Sequence, residues 1–198
     1  MPVPFEKSET RQNLLRAFAG ESQARNRYTF AAELAKQKHL EVVEAVFLFT
    51  ADQERAHGKV FYDFLSGQAG SSLSIDASYP VDVYDDVLRH LRAAQHNEYQ
   101  EYETDYAEFS RIAGEEGFGE ISHTFRMIAN IEQTHGDRFG LFADLLEQNQ
   151  LFVSKAETGW MCLNCGHIVQ GSMAPALCPV CRHGQGYFVR LELAPFVR

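Results

Sequence analysis

The sequence predicts a mainly α protein: a four-helix bundle with one long crossover, followed by a small β-rich metal domain. Three observations predict it. Four long stretches carry apolar residues at helical spacing, with no alternating strand pattern between them. One of the three connections joining them is much longer than the other two. All four cysteines and the single Trp are confined to the chain beyond Gly159.

The first helix is expected over Ser8–Gln37, with Ser8 as its N-cap ahead of the stripe Leu14, Leu15 and Phe18. The second is expected over Glu41–Leu65, the third over Asp82–Ala113 and the fourth over Gly119–Gln150. Each is roughly 25–32 residues, or about 40–48 Å at 1.5 Å per residue. Helices one and two meet near Lys38–Leu40, and helices three and four at "GEEGFG", whose glycines suit a C-cap. Between helices two and three lies "SGQAGSSLSIDASYP", residues 66–80. Fully extended, it spans at most about 50 Å, enough to run the length of the bundle. Two helical hairpins joined by one long crossover is the ferritin-like connectivity. The helical stripe stops near Leu151, and short β-rich pieces such as "YFVRLEL" follow. The expected division is a bundle over 1–152 and a second domain over 157–198, too small to hold together without a metal or another staple.

The chain has 198 residues, 45% of them hydrophobic, which suffices for one sizeable domain plus a small one. Its formal charge of −9 and lack of a basic stripe argue against nucleic acid as a partner. "MPVPFEKSET" lacks the basic start and apolar run of a signal peptide, and the most apolar stretch, Ala45–Thr50, is far too short to span a membrane. A soluble cytoplasmic protein is the expectation. Its cysteines are then reduced or metal-bound rather than paired in disulfides.

The fourth helix carries "NIEQTHGD", which sets Glu132 and His135 three apart, and so on one face, within the apolar stripe Ile121, Phe125, Ile128, Phe139 and Phe142. The second helix repeats this in "ADQERAHG", with Glu54 and His57 on the stripe Val43, Phe47, Phe61 and Phe64. Glu54 and Glu132 stand 78 residues apart, as do His57 and His135, Phe47 and Phe125, and Gly58 and Gly136. The helix pairs therefore form an internal repeat. Helix one adds Glu21 to its stripe. Helix three adds Glu98 and Glu101 to the stripe Leu91, Ala94, Asp105, Phe109 and Ile112. Carboxylates crowded into a low-dielectric space stay ionised only if cations neutralise them. A Glu from each of two helices plus Glu-x-x-His from each of the other two is the pattern of di-iron and di-manganese carboxylate bundles. A lone Glu-x-x-His on a helix is usually a solvated pair, but two at matched repeat positions on core stripes are not. Tyr28 and Tyr106, also 78 apart, sit on the core side near these acids. Each is either a packing residue or a phenol bonded to a metal-bound carboxylate, able to supply a proton. His39, His90, His96 and His123 lack such partners and read as surface or outer residues, His96 being the closest to an acid.

"CLNC" at 162–165 and "CPVC" at 178–181 are two Cys-x-x-Cys knuckles, the signature of a tetrahedral four-thiolate site. Zinc is the structural alternative there. Iron is favoured by the redox-capable pair of metals in the same chain, because zinc cannot pass electrons. "GEEGFG" joins two helices at the wrong spacing for a dinucleotide loop, so the chain is not expected to bind a nicotinamide itself.

Taken in order, Glu21, Glu54-x-x-His57, Glu98-x-x-Glu101, Glu132-x-x-His135 and "WMCLNCGHIVQG…APALCPVC" resemble the rubrerythrin family over nearly the whole chain. The resemblance implies a ferritin-like di-iron domain fused to a rubredoxin-like domain with one iron on Cys162, Cys165, Cys178 and Cys181. It implies a peroxidase that reduces hydrogen peroxide to water in oxidative-stress defence. Electrons would come from an external donor, a reductase or a rubredoxin-type protein, through the rubredoxin-like iron. Carried over residue by residue, Glu54 and Glu132 would bridge two irons, Glu21 would hold one, and Glu98 and His135 the other. Glu101 and His57 would alternate at the first iron with oxidation state. Catalytic roles would then fall to Tyr28, Tyr106, Glu101 and His57. A homodimer is also implied, and the long crossover permits helix exchange between subunits. His167 departs from the family, standing where a Tyr is usual, and bears on the thiolate iron's potential or solvent access without removing a ligand. The rival readings are a ferroxidase that oxidises Fe(II) with dioxygen and a non-catalytic storage protein with zinc in its knuckles.

Overall fold

A computed structural model describes residues 3–194; the expected domains' outermost residues, 1–2 and 195–198, lie outside that range. Helix α1 spans Glu9–Gln37, and Ser8 caps it as expected, its Oγ accepting from the Arg11 N–H at 3.1 Å. The Glu116 carboxylate reaches the same helix end and accepts from the N–H groups of Glu9 and Thr10 at 2.9 and 2.8 Å. A negative group there satisfies orphan donors and meets the positive end of the helix dipole. Helix α2 spans Glu41–Phe64 and packs antiparallel on α1.

The third long helix begins later than expected and is not uniform. It runs as α3 over Val87–Gln100, a π-helical turn over Glu101–Asp105 and α4 over Tyr106–Glu116. Asp86 caps it, accepting from the Arg89 N–H at 2.7 Å. Residues 82–85, expected to be helical, instead extend the crossover. Gly117 ends α4 in the left-handed region at φ 93°, as the glycine-rich turn predicts. Helix α5 spans Gly119–Glu147 and packs on α3 and α4.

The crossover lies along α1. Arg16 donates to the Asp76 carbonyl at 3.0 Å, the Tyr79 hydroxyl donates to the Arg16 carbonyl at 2.8 Å, and Arg27 pairs with Asp82 at 2.7 Å. The bundle core is divided by the acids into two apolar clusters. One contains Phe47, Leu91, Phe139 and Phe142, the other Leu14, Phe61, Tyr106 and Phe125.

Strands β1 (Val153–Cys162), β2 (Ile168–Met173) and β3 (Phe188–Arg190) form an antiparallel sheet in the order β2-β1-β3. Trp160 and Phe188 are fully buried at its centre, and the indole N–H donates to the Gly171 carbonyl at 3.0 Å. Val189 joins the bundle's apolar cluster beside Val43 and Phe142, with Met161 and Leu163 packed against it. Gly186 meets the α1–α2 turn so closely that a Cβ there would run into the His39 carbonyl and the Glu41 carboxylate.

Candidate metal centres

All seven predicted bundle ligands converge between the two apolar clusters. Single donor atoms of Glu54, His57, Glu132 and His135 lie within 4.8 Å of one another, as do those of Glu21, Glu101 and Glu132. His57 Nδ1 stands 3.0 Å from Glu132 and 3.3 Å from Glu54. His135 Nδ1 stands 2.8 Å from Glu132 and 2.9 Å from Glu54. Glu54 and Glu132 therefore face both histidines. The other contacts divide the site: Glu21 is 3.9 Å from His57, and Glu98 is 3.5 Å from His135.

The donor set fits two metal ions. Nδ1 of both histidines, both oxygens of Glu54 and Glu132, and one oxygen each of Glu21 and Glu98 are buried without a hydrogen-bond partner. Orphans in that number are costly unless a ligand satisfies them. The spacings of 2.8–3.3 Å between the histidine Nδ1 atoms and the oxygens of Glu54 and Glu132 are close to the edge of an octahedron with bonds of about 2.1 Å, about 3.0 Å, while Glu21 and Glu98 stand further off.

With only protons to neutralise them, the acids split. Burial, then the charges of Glu132 and Glu54, holds Glu21 well above the usual carboxylate range. Burial and Glu54 push Glu98 up to about 8. Burial also opposes the Glu54 charge, but the imidazoles of His135 and His57 outweigh it and hold Glu54 down at about 2. Burial would lower His57, yet Glu132 and Glu54 raise it to about 9.

The tyrosines do more than pack. The Tyr28 hydroxyl donates to Glu98 Oε1, and the Tyr106 hydroxyl donates to Glu21 Oε1 at 2.5 Å. Each phenol thus reaches the acid of the opposite hairpin. Glu101 is the least buried ligand. It forms part of the wall of a cleft of about 570 Å³, lined also by Arg16, Arg27, Tyr79 and Asn97, between α1, the crossover and the π turn. His96 lines the same cleft without joining the ligands, whereas His90 is buried and bonded to the Tyr84 carbonyl at 3.0 Å.

The π turn explains helix three. Leu14, Ala17 and Glu21 correspond to Leu91, Ala94 and Glu98 at an offset of 77, but Tyr28 and Ala35 correspond to Tyr106 and Ala113 at 78. One extra residue is absorbed between Glu98 and Tyr106, and a π turn is what a single insertion in an α-helix produces. Beyond it the buried positions are Tyr106 and Ala113, not the expected Asp105 and Ile112. The change of offset was the sequence signal for this turn. Arg138, which donates to Thr50 and Gln53 beside Glu54, had no motif to mark it.

At the second centre the cysteines are unpaired, and their sulfurs stand 3.7 Å apart in the pairs Cys162–Cys181 and Cys165–Cys178. A disulfide would bring them to about 2.05 Å, whereas the edge of a tetrahedron with metal–sulfur bonds of about 2.3 Å is about 3.8 Å. Two matched turns present them: the Cys162 N–H donates to the His167 carbonyl at 2.9 Å, and the Cys178 N–H to the His183 carbonyl at 2.8 Å. The backbone N–H of His183 holds the Cys181 thiol down to about 5, while burial pushes Cys162 up to about 12.

A bundle with a two-metal carboxylate–histidine cluster and an attached four-cysteine domain defines a redox di-iron protein with a rubredoxin-like electron carrier. Two family models match, Rubrerythrin over residues 12–143 and its rubredoxin-like domain over 160–189. The chain belongs to the rubrerythrin family. It is 43% identical to the rubrerythrin of Porphyromonas gingivalis, covering 95% of this chain and 92% of that one. It is 41% identical to the rubrerythrin of Nitratidesulfovibrio vulgaris, covering 94% and 96%. Among solved structures, nigerythrin in a mixed-valence state matches at a TM-score of 0.62 and 25% identity, over 91% of this chain and 86% of that one. Symerythrin from Cyanophora paradoxa shares the fold at a TM-score of 0.60 and 19% identity, over 74% and 89%. Among the described residues, no helix is long and apolar enough to cross a membrane.

Proposed function

We propose that this chain is a peroxidase that reduces hydrogen peroxide to water in the cytoplasm, drawing electrons from a separate donor protein. The observation that carries the reading is a di-metal site in the same chain as a four-sulfur site packed against its bundle. Storage or ferroxidation needs no attached one-electron carrier. The rubredoxin-like domain implies an external electron source, for which a reductase or a rubredoxin-type protein fits. A homodimer, and the division of the chain at 152–157, belong to the same proposal.

Bound between the helices, two irons would supply Lewis acidity and the electrons for O–O cleavage. Glu54 and Glu132 would each help to hold both metals, because each faces both histidines. Glu21 is assigned to one metal, Glu98 and His135 to the other. Glu101 and His57 both flank the Glu21–Glu132 side, which suits them to alternate at one metal. Tyr28 and Tyr106 orient the two terminal carboxylates and keep a hydroxyl proton beside each. The cleft beside Glu101 admits a small substrate from solvent. Each peroxide consumes two electrons and two protons and leaves two waters.

Metal analysis of protein from iron-replete cells, followed by mixing the reduced protein with peroxide, tests the proposal. Iron in both sites and rapid reoxidation by peroxide are expected. Zinc on the cysteines together with no reoxidation would exclude it. Faster reoxidation by dioxygen than by peroxide would favour the ferroxidase instead.

A further inference from the structure

We propose that Arg138 is a positioning residue for the di-metal site: it fixes one positive charge behind the carboxylates of Glu54, Glu98 and Glu132 and so sets how readily the site is reduced. Helix α5 places Arg138 one turn beyond His135. Its guanidinium donates to Thr50 Oγ1 at 2.8 Å and Gln53 Oε1 at 2.9 Å, and lies over the Phe49 ring at 5.0 Å. Thr50 is fully buried, and neither acceptor carries charge.

Among the described residues, no carboxylate lies within ion-pair distance of Arg138, whereas of the other half-buried arginines Arg16, Arg27, Arg92 and Arg190 each have at least one and only Arg11 has none. A half-buried guanidinium without a local counter-charge is unfavourable unless a field compensates it. The compensating field is that of the metal-binding acids: burial pulls the Arg138 guanidinium down, and Glu98, Glu54 and Glu132 pull it back up. The two arginines on the cleft side are instead committed to other acids, Arg16 to Glu9 and Arg27 to Asp82, to which Asn97 also donates at 2.9 Å.

Five carboxylates, two neutral imidazoles and two divalent ions leave the reduced site with a net negative charge. A fixed positive charge beside it stabilises the reduced form over the oxidised one. Screening there is reduced because Arg138 is half-buried, in the wall of a groove of about 400 Å³ formed with Phe49, Phe142, Leu163 and Val189, where the cysteine domain meets the bundle. The inference rests on the di-metal site and not on peroxide as the substrate.

The test is a spectroelectrochemical titration of the full iron-loaded chain as wild type, Arg138→Gln, Arg138→Met and Arg138→Lys. The di-metal midpoint is expected to fall in both neutral variants, by the equivalent of roughly a tenfold change in the oxidised-to-reduced ratio, about 59 mV for a one-electron step. Arg138→Lys keeps the charge and should stay near wild type, and the four-cysteine midpoint should not move in any variant. A wild-type midpoint in either neutral variant overturns the proposal, since a purely packing role predicts that result alongside lost stability. If neither neutral variant folds, Gln53→Met removes one tether without adding charge. A smaller fall of the same sign then supports the proposal, and an unchanged midpoint overturns it.

Discussion

Glu101 occupies the position that Ala24 holds in the first hairpin, at the offset of 77 that also relates Glu21 to Glu98. Ala24 is buried packing, whereas Glu101 is a half-buried acid on the cleft wall. The two halves of the site are thus near copies that differ in one carboxylate. Burial, then the charges of Glu98 and Glu132, keeps Glu101 well above the usual carboxylate range, so it can hold a proton beside the site. Removing it leaves Glu21, Glu54, Glu98, Glu132 and both histidines in place. Glu101→Ala should therefore still bind two irons but turn over peroxide more slowly, by a factor of about 10² if its proton is used in the reaction. Iron content and single-turnover rates check this together. Wild-type turnover in a fully loaded variant would remove Glu101 from the chemistry.

Helix against helix, the bundle closes on two glycines, each following a ligand histidine. A Cβ on Gly58 would lie 3.3 Å from the Glu21 Cβ, and one on Gly136 only 2.7 Å from the Tyr99 ring. Alanine gains about 1 kcal/mol in helix propensity at either position, while overpacking costs about 1–3 kcal/mol. Gly58→Ala should then be close to neutral. Gly136→Ala should lower stability by about 1 kcal/mol, because the Tyr99 ring must turn away from Asp137, to which it donates at 2.7 Å. Denaturant midpoints of the two apoproteins compare them directly. At this scale the sequence was highly legible where packing imposes a period. Helices α1, α2 and α5, the Ser8 cap and the Gly117 stop follow from stripes and local chemistry. The third helix was less so. Its π turn keeps both flanking stripes nearly in phase, so a one-residue insertion shows only as a repeat offset that changes from 77 to 78. The start at Val87 rather than Asp82 comes from a tertiary contact, since Asp82 is held by Arg27 and Asn97.

Across the whole molecule, the ligand residues were legible because each lies on a helical stripe, but the docking of the cysteine domain was not. That docking rests on a few side chains, such as Leu163 and Val189, and on the bare backbone of Gly186, none of which belongs to a periodic pattern. What ties the molecule's stability to its metals is the charge stored between the helices. Without metal, Glu98 moves from 4.5 to about 8 and His57 from 6.5 to about 9, and Glu21 and Glu101 are raised as well. Each of these groups binds its proton more tightly in the folded chain than in the unfolded one. Their contribution is fully present below the unfolded values and is lost as the pH rises through about 8 and about 9. Glu54 runs the other way: its contribution is present above 4.5 and lost as the pH falls toward about 2. The metal-free bundle should therefore be most stable near pH 5, at about the crossing of these trends, and weaken steadily on the alkaline side. Metal reverses the slope, because binding expels those protons and so tightens as the pH rises. Thermal melts followed by the helical circular-dichroism signal, on chelator-stripped and anaerobic iron-loaded protein from pH 5 to about 9, separate the two. The stripped protein's midpoint should fall across that window while the gap to the loaded form widens. A stripped midpoint that rises instead would mean the acids are not held together by protons, and that the helices stay closed over a charged, water-filled site.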